Sequence, residues 1–241
     1  MRILGLLAEY PPAEHDRRAA AIVAAASPGT EVAVEVVPGN VFRGGMTDLH
    51  RALIAPVMTR AAIDAEARGF DAVVPYGTLD LGVEEARHAV GIPVVGPGRA
   101  TVHLAETLCD RFAIVCYDVA HVVMFTKLIR SWRVVADVTG IHPVDVEVTD
   151  MAEARDHLRA RFVEVARRAV AEDGAQVIAP LGMTMVPVTF RAADLAADIG
   201  VPVLDPLATA MRTAELLAAS GVGNSRAAYP YATLPPEASA R

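Results

Sequence analysis

Two segments of this chain repeat each other. Gly91-Ile92-Pro93-Val94-Val95-Gly96-Pro97 returns as Gly200-Val201-Pro202-Val203-Leu204-Asp205-Pro206, without a gap, at a register shift of 109 residues. Both run on into an expected helix containing Ala-Glu, at Ala105-Glu106 and Ala214-Glu215. The same shift pairs a first apolar run, Ile3 to Ala8, with Phe112 to Cys116 and sets Glu9 opposite Asp118. With a four-residue adjustment, Val73-Val74-Pro75-Tyr76-Gly77 matches Ile178-Ala179-Pro180-Leu181-Gly182. An internal duplication restricts the fold to two similar units, each of which stacks its own elements.

Within each unit, short β-branched runs alternate with Ala/Arg/Glu-rich stretches, the pattern of βα units around a parallel sheet. The first unit is expected to hold strands at Ile3 to Ala8, Glu31 to Val37, Asp71 to Val74 and Pro93 to Val95. Its helices are expected at Glu14 to Ala26, Thr47 to Arg68 and Gly82 to Val90, ended by Gly or Pro. The second is expected to hold strands at Phe112 to Cys116, Val144 to Val148, Gln176 to Ala179 and Pro202 to Leu204. Its helices are expected at Ala120 to Trp132, Met151 to Glu172, Phe190 to Asp198 and Leu207 to Ala219. The fold class is therefore α/β, with two pseudo-symmetric Rossmann-like lobes: residues 1–105, completed by 207–241, and residues 106–206. The last helix is expected to pack back on the first lobe.

Composition narrows the function. With 241 residues and 53% of them apolar, the chain can bury about three quarters of its unfolded surface. A net charge of −7 gives no footprint for nucleic acid or acidic lipid. No apolar run approaches the roughly 20 residues of a membrane helix, and the first residues do not read as a signal peptide. The expectation is a cytoplasmic protein with a small-molecule partner, assembled as a homo-oligomer. Cys109 and Cys116 make neither a disulfide framework nor a zinc set, and the histidines and acids show no metal-ligand spacing, so no metal or other cofactor is expected.

Open parallel sheets bind ligands beyond the carboxyl ends of their strands, which places the site in the crevice between lobes. Gly77-Thr78 and Gly182-Met183-Thr184 follow buried strands, where successive N–H groups and a hydroxyl can hold an oxyanion; ordinary turn chemistry is the alternative. Pro180 precedes the second of these loops. Glu9 and Asp118 can serve as acid and base across the cleft, or Asp118 can cap the helix that follows it. Tyr10, Tyr76 and Tyr117 gather at strand ends, where phenols can orient a carboxylate or give a proton. Arg43, in a Gly-rich stretch, can reach a carboxylate with two hydrogen bonds or remain solvated. Cys116 is either a small buried apolar residue or a thiol nucleophile. His103 and His121 lie near the seam between the lobes, where a structural role is the first reading and a catalytic one the alternative.

Several of these segments carry a family resemblance. Phe70-Asp71-Ala72-Val73-Val74-Pro75-Tyr76-Gly77, Ile92-Pro93-Val94-Val95-Gly96 leading into His103-Leu104-Ala105, Arg111-Phe112-Ala113-Ile114-Val115, Arg167 to Ala175, and Leu181-Gly182-Met183 are its bearers. Together with Gly200 to Asp205 they make the chain similar, over nearly its whole length, to the aspartate/glutamate/hydantoin racemase superfamily. That superfamily also holds allantoin racemase, maleate isomerase and arylmalonate decarboxylase, and the hydantoin racemase branch looks nearest. The resemblance implies the aspartate racemase-like fold and a cofactor-independent enzyme acting on the carbon next to a carboxylate or imide of a small metabolite. It also implies one cysteine after the third strand of each lobe, working from opposite faces of the substrate. Those positions fall on Gly77 and Pro180, so the two-thiol mechanism is absent there. Gly77-Thr78 instead resembles arylmalonate decarboxylase. The expected reaction therefore uses other groups, with Glu9, Cys116, Tyr117 and Asp118 as candidates. A decarboxylase, lyase or hydrolase on the same scaffold, or an inactive binder, are the alternatives.

Overall fold

A computed structural model describes residues 1–41, 47–146 and 155–232. Each lobe is built on a three-stranded parallel sheet. In lobe 1, β1 (Arg2–Glu9) lies between β2 (Glu31–Val41) and β3 (Ala72–Pro75); in lobe 2, β4 (Arg111–Cys116) lies between β5 (Asp137–Pro143) and β6 (Val177–Pro180). The repeat read from sequence reappears in the ladders. Ile3 pairs with Ala72 and Leu6 with Pro75; Phe112 pairs with Val177 and Val115 with Pro180, the same positions one repeat on. The fourth strand expected in each lobe is reduced to a single parallel bridge, Val73 with Val94 and Ile178 with Val203, again at equivalent positions.

Helices cover both faces of both sheets, as parallel strands require. On lobe 1, α1 (Pro12–Ala25) packs Ile22 against Ile3 and Leu7, and α2 (Asp48–Ala67) packs Ile54 and Met58 against Leu4 and Leu6 on the other face. A short α3 (Val83–Arg87) and then α4 (Pro97–Leu108) close the first half. On lobe 2, α5 (Val119–Trp132) sets Phe125 and Leu128 against Phe112 and Ile114, while α6 (Arg155–Asp173) and α7 (Ala192–Ile199) cover Ala113 and Val115. The chain ends in α8 (Pro206–Ala219), whose Leu207, Ala210, Met211 and Ala214 cluster with Ile3, Leu7 and Val74 of lobe 1. Its Glu215 accepts hydrogen bonds from Ser27 N (2.6 Å) and Thr30 Oγ1 (2.8 Å), tying α8 to the turn before β2. The equivalent α4 joins the cluster that holds Phe112, Ile114, Val177 and Ala179 of lobe 2 through Val102 and Ala105.

One strand differs from the sequence reading. The second strand of lobe 2 was expected at Val144 to Val148, where Val alternates with an acidic residue, but β5 spans Asp137–Pro143. The ladder begins with Arg111 opposite Asp137, directly after α5 ends, and a register shift at Gly140 carries it to Cys116 opposite Pro143. Gly140 and Pro143 weaken the strand signal, yet both are tolerated because β5 is an edge strand. Residues 147–154, which include the start expected for α6, and 233–241 lie outside the described residues. Among the described residues no helix is long and apolar enough to cross a membrane.

Candidate functional site

The strand orders 2-1-3 and 5-4-6 place a topological switch point between β1 and β3 and another between β4 and β6, and ligands of open sheets bind beyond such points. The two meet in one cavity of about 50 Å³. Lobe 1 contributes Ala8, Tyr10, Tyr76, Gly77, Thr78, Leu79 and Leu81; lobe 2 contributes Tyr117, His121, Met183 and Thr184. None of these lining residues is a cysteine.

Two loops form much of the wall. After β3 the chain turns at Gly77, whose φ of 137° suits glycine, and Thr78 and Leu79 are buried. The N–H groups of Gly77, Thr78 and Leu79 have no partner among the described residues, and those of Gly182 and Met183, after β6, have none either. Buried backbone donors are nearly always paired. Their clustering on both walls of one cavity is the arrangement that receives an anionic oxygen. The first loop is pinned by Asp80, which is buried and accepts hydrogen bonds from Gly98 N (2.7 Å) and Arg99 N (2.8 Å) at the start of α4. Burial outweighs those bonds and pushes its pKa up to about 7.

Lobe 2 supplies the titratable groups. Tyr117, 5% exposed, follows β4 and its Oη accepts the N–H of Thr184 at 2.9 Å. Burial pushes this phenol up to about 12, with Thr184 pulling the other way. Gly182 makes the approach possible, since a Cβ there would lie 2.8 Å from Tyr117 Cζ. Asp118 is the N-cap of α5: its Oδ1 accepts the N–H of His121 at 2.9 Å and stands 2.8 Å from His121 Nδ1. Burial raises the Asp118 carboxyl, but the hydrogen bonds from His121 prevail and hold it below its ordinary value. The carboxylate assigns the proton to Nδ1 and leaves Nε2 as the basic nitrogen. The His121 ring meets Tyr117 edge-on at 5.1 Å.

From lobe 1, Tyr76 and Tyr10 meet edge-on at 6.5 Å. Tyr76 Oη is buried without a partner among the described residues, and burial lifts its pKa well above 10. Burial likewise raises Tyr10, against the pull of Arg18.

The candidates read from sequence thus divide. Tyr10, Tyr76, Gly77, Thr78, Tyr117, Met183 and Thr184 come together at the cavity. Cys116 is wholly buried in the core on the opposite strand face from Tyr117, and burial pushes its thiol up to about 12. Glu9 is exposed and accepts the N–H of Gly39 at 3.2 Å. Pro180 ends β6 beneath the second loop, and Arg43 lies outside the described residues. His121, for which a catalytic role was the alternative reading, lines the cavity. One residue was missed. Arg18 sits behind the cavity wall, and its signal was a charge four residues before Ile22 on the buried face of α1. Among the described residues no group of acids, histidines and cysteines could hold a metal ion.

The profile of the Asp/Glu/Hydantoin racemase family matches residues 14–214. The chain belongs to this family. It is 28% identical over 187 residues to the hydantoin racemase of Rhizobium meliloti, covering 74% of each chain. Its fold superposes on that of allantoin racemase from Pseudomonas fluorescens with a TM-score of 0.86 at 23% identity, covering 98% of this chain and 99% of that one. Unliganded arylmalonate decarboxylase superposes at 0.62 with 18% identity, covering 90% of this chain and 93% of the other, a likeness of fold alone. Family membership makes the chain a racemase-superfamily enzyme of α/β fold, with relatives among the hydantoin racemases.

Proposed function

We propose that this enzyme moves a proton at the carbon next to a carboxylate or imide carbonyl of a small metabolite, using its own side chains and not a pair of thiols. The observation that carries the reading is that the N–H groups of Gly77, Thr78 and Leu79 on one wall of the cavity and of Met183 on the other have no partner among the described residues. In this reading they and Thr78 hold the enolate oxygen that appears when the α-proton leaves. His121 Nε2 takes that proton, and Asp118 holds the imidazolium that results. Return of the proton from His121 restores the starting configuration. Delivery from the opposite lobe, where Tyr76 carries an unpartnered hydroxyl, inverts it. Glu9 and Cys116 take no part in this scheme, because neither lines the cavity.

The test is exchange of the α-hydrogen in deuterated water, followed by NMR and polarimetry, with single enantiomers of 5-substituted hydantoins, allantoin and amino acids. Exchange is expected in the wild type and abolished in His121→Asn. Thr78→Ala is expected to lower turnover by about 10²-fold or more, the usual cost of one oxyanion donor, with its melting temperature little changed. Unchanged turnover in Thr78→Ala sinks the oxyanion role. Release of carbon dioxide from an arylmalonate would instead mark a decarboxylase built on the same oxyanion chemistry, and tight binding without exchange or product would mark a binder.

A further inference from the structure

Arg18 belongs to α1 on lobe 1, yet its guanidinium is tied to lobe 2. The residue is 3% exposed. Its Nη1 donates to the Glu14 carbonyl at 3.1 Å and to the Glu14 carboxylate, its Nη2 donates to Thr184 Oγ1 at 3.0 Å, and the Tyr10 ring lies 4.1 Å from its Cζ. Its Nε is buried with no acceptor among the described residues. Burying a charge is costly even when it is paired, and an apolar side chain of like volume often serves stability as well or better. Packing alone therefore gives no reason for an arginine here.

The hydrogen bonds supply one. A guanidinium only donates, so Thr184 Oγ1 is held as an acceptor and its loop is fixed against α1. That fixes the N–H of Thr184 on Tyr117 Oη at 2.9 Å. Thr184 sets its N–H and its side-chain hydroxyl on that phenol oxygen, both favouring the phenolate; with the oxygen accepting from Thr184, the hydroxyl hydrogen of Tyr117 can turn to the cavity that Tyr117 lines. We propose that Arg18 is a positioning residue: through Thr184 it holds Tyr117 with its hydroxyl hydrogen turned to the cavity, where it donates to the anionic oxygen of the bound substrate. This rests on the oxyanion reading of the site. The charged and titratable groups around Tyr117 are Arg18, Tyr10, Tyr76, His121 and Asp118. Of these, the Arg18 charge and the Thr184 hydrogen bonds favour the phenolate.

Two measurements on the full chain test it. The five tyrosines are replaced by 3-fluorotyrosine, whose fluorine lowers the phenol midpoint into an accessible range, and Tyr117→Phe assigns the fluorine signal of residue 117. Arg18→Met is expected to raise the midpoint at residue 117. An unchanged midpoint in a variant that melts like the wild type overturns the proposal. Should Arg18→Met fail to fold, Thr184→Val cuts the same link while keeping the N–H, and is expected to raise the midpoint too; no change there overturns it equally. In the exchange assay, Arg18→Met is expected to lower kcat about 10–100-fold with KM within threefold. The Arg18→Met/Tyr117→Phe double variant is expected to be no worse than the poorer single variant, whereas additive losses overturn the link. A wild type that exchanges none of the substrates sinks the reading of the site, and the fluorine titration then decides the Arg18 link by itself.

Discussion

Residue 182 shows how finely the site depends on one missing side chain. A Cβ on Gly182 would lie 2.6 Å from Met185 Cε and 2.8 Å from Tyr117 Cζ. The methionine methyl can swing away, but the phenol ring cannot move without leaving the Thr184 N–H. Gly182→Ala is expected to cost about 1–3 kcal/mol, as overpacking does, and to lose exchange activity out of proportion to that. A thermal melt beside the exchange assay measures both, and wild-type turnover in this variant would show that the position of Tyr117 is unimportant. Seven lining residues were legible in the sequence because strand ends mark the ligand side of a parallel sheet. The choice between Cys116 and Tyr117 was not. A strand buried on both faces reads as a continuous apolar run, so parity along it is invisible, and only the packed structure shows that the thiol turns to one core and the phenol to the other. Arg18 was missed for a related reason: a helix interior is not where a parallel-sheet fold advertises its site.

At the scale of elements, the two halves solve the same capping problem differently. Asp205 caps α8 with its own carboxylate, accepting from Leu207 N at 2.9 Å and Ala208 N at 3.0 Å. The equivalent residue before α4 is Gly96, and Asp80 reaches in from the first loop to fill the gap; a Cβ on Gly96 would lie 2.3 Å from Asp80 Cγ. The cap of α4 thereby anchors the loop that carries Thr78. Because burial lifts the folded pKa of Asp80 to about 7 from an ordinary 3.8, the folded state keeps a proton that the unfolded chain releases. The stability this contributes is whole below about pH 4 and is lost as pH rises through 7, at no more than about 1.4 kcal/mol per pH unit. The melting temperature of the wild type is therefore expected to fall between pH 5 and 8 relative to that of Asp80→Asn, which cannot ionise. Parallel curves for the two proteins would exclude Asp80 as the source. The duplication sets Gly96 opposite Asp205 in the sequence, but the reach of Asp80 into that gap is visible only in the packed structure. The same reading misplaced β5, because Val alternating with acidic residues over Val144 to Val148 outweighed a strand that carries Gly140 and Pro143 on a sheet edge.

For the whole molecule, the exchange of terminal helices joins the lobes. The helix that closes the first repeat, α4, buries Val102 and Ala105 in the cluster holding Phe112 and Val177 of lobe 2, and the helix that closes the second, α8, buries Leu207 and Met211 beside Ile3 and Val74 of lobe 1. Unfolding lobe 2 by itself would strip α4 of its sheet. It would also leave exposed the apolar face of lobe 1 that α8 covers, at about 25 cal/mol for each Å² of apolar surface returned to water. Arg18 adds a buried polar tie across the same seam. The duplicated halves are thus expected to melt as one unit, with a single calorimetric transition whose calorimetric and van't Hoff enthalpies agree. Two separated transitions, or an enthalpy ratio well above one, would show that each lobe is stable alone. Such cooperativity bears on the site, because the two loops proposed to hold the oxyanion sit on different lobes, and an anion held by both would require the lobes to keep a fixed distance. A ligand bridging Thr78 and Thr184 should then raise the temperature of that one transition without splitting it.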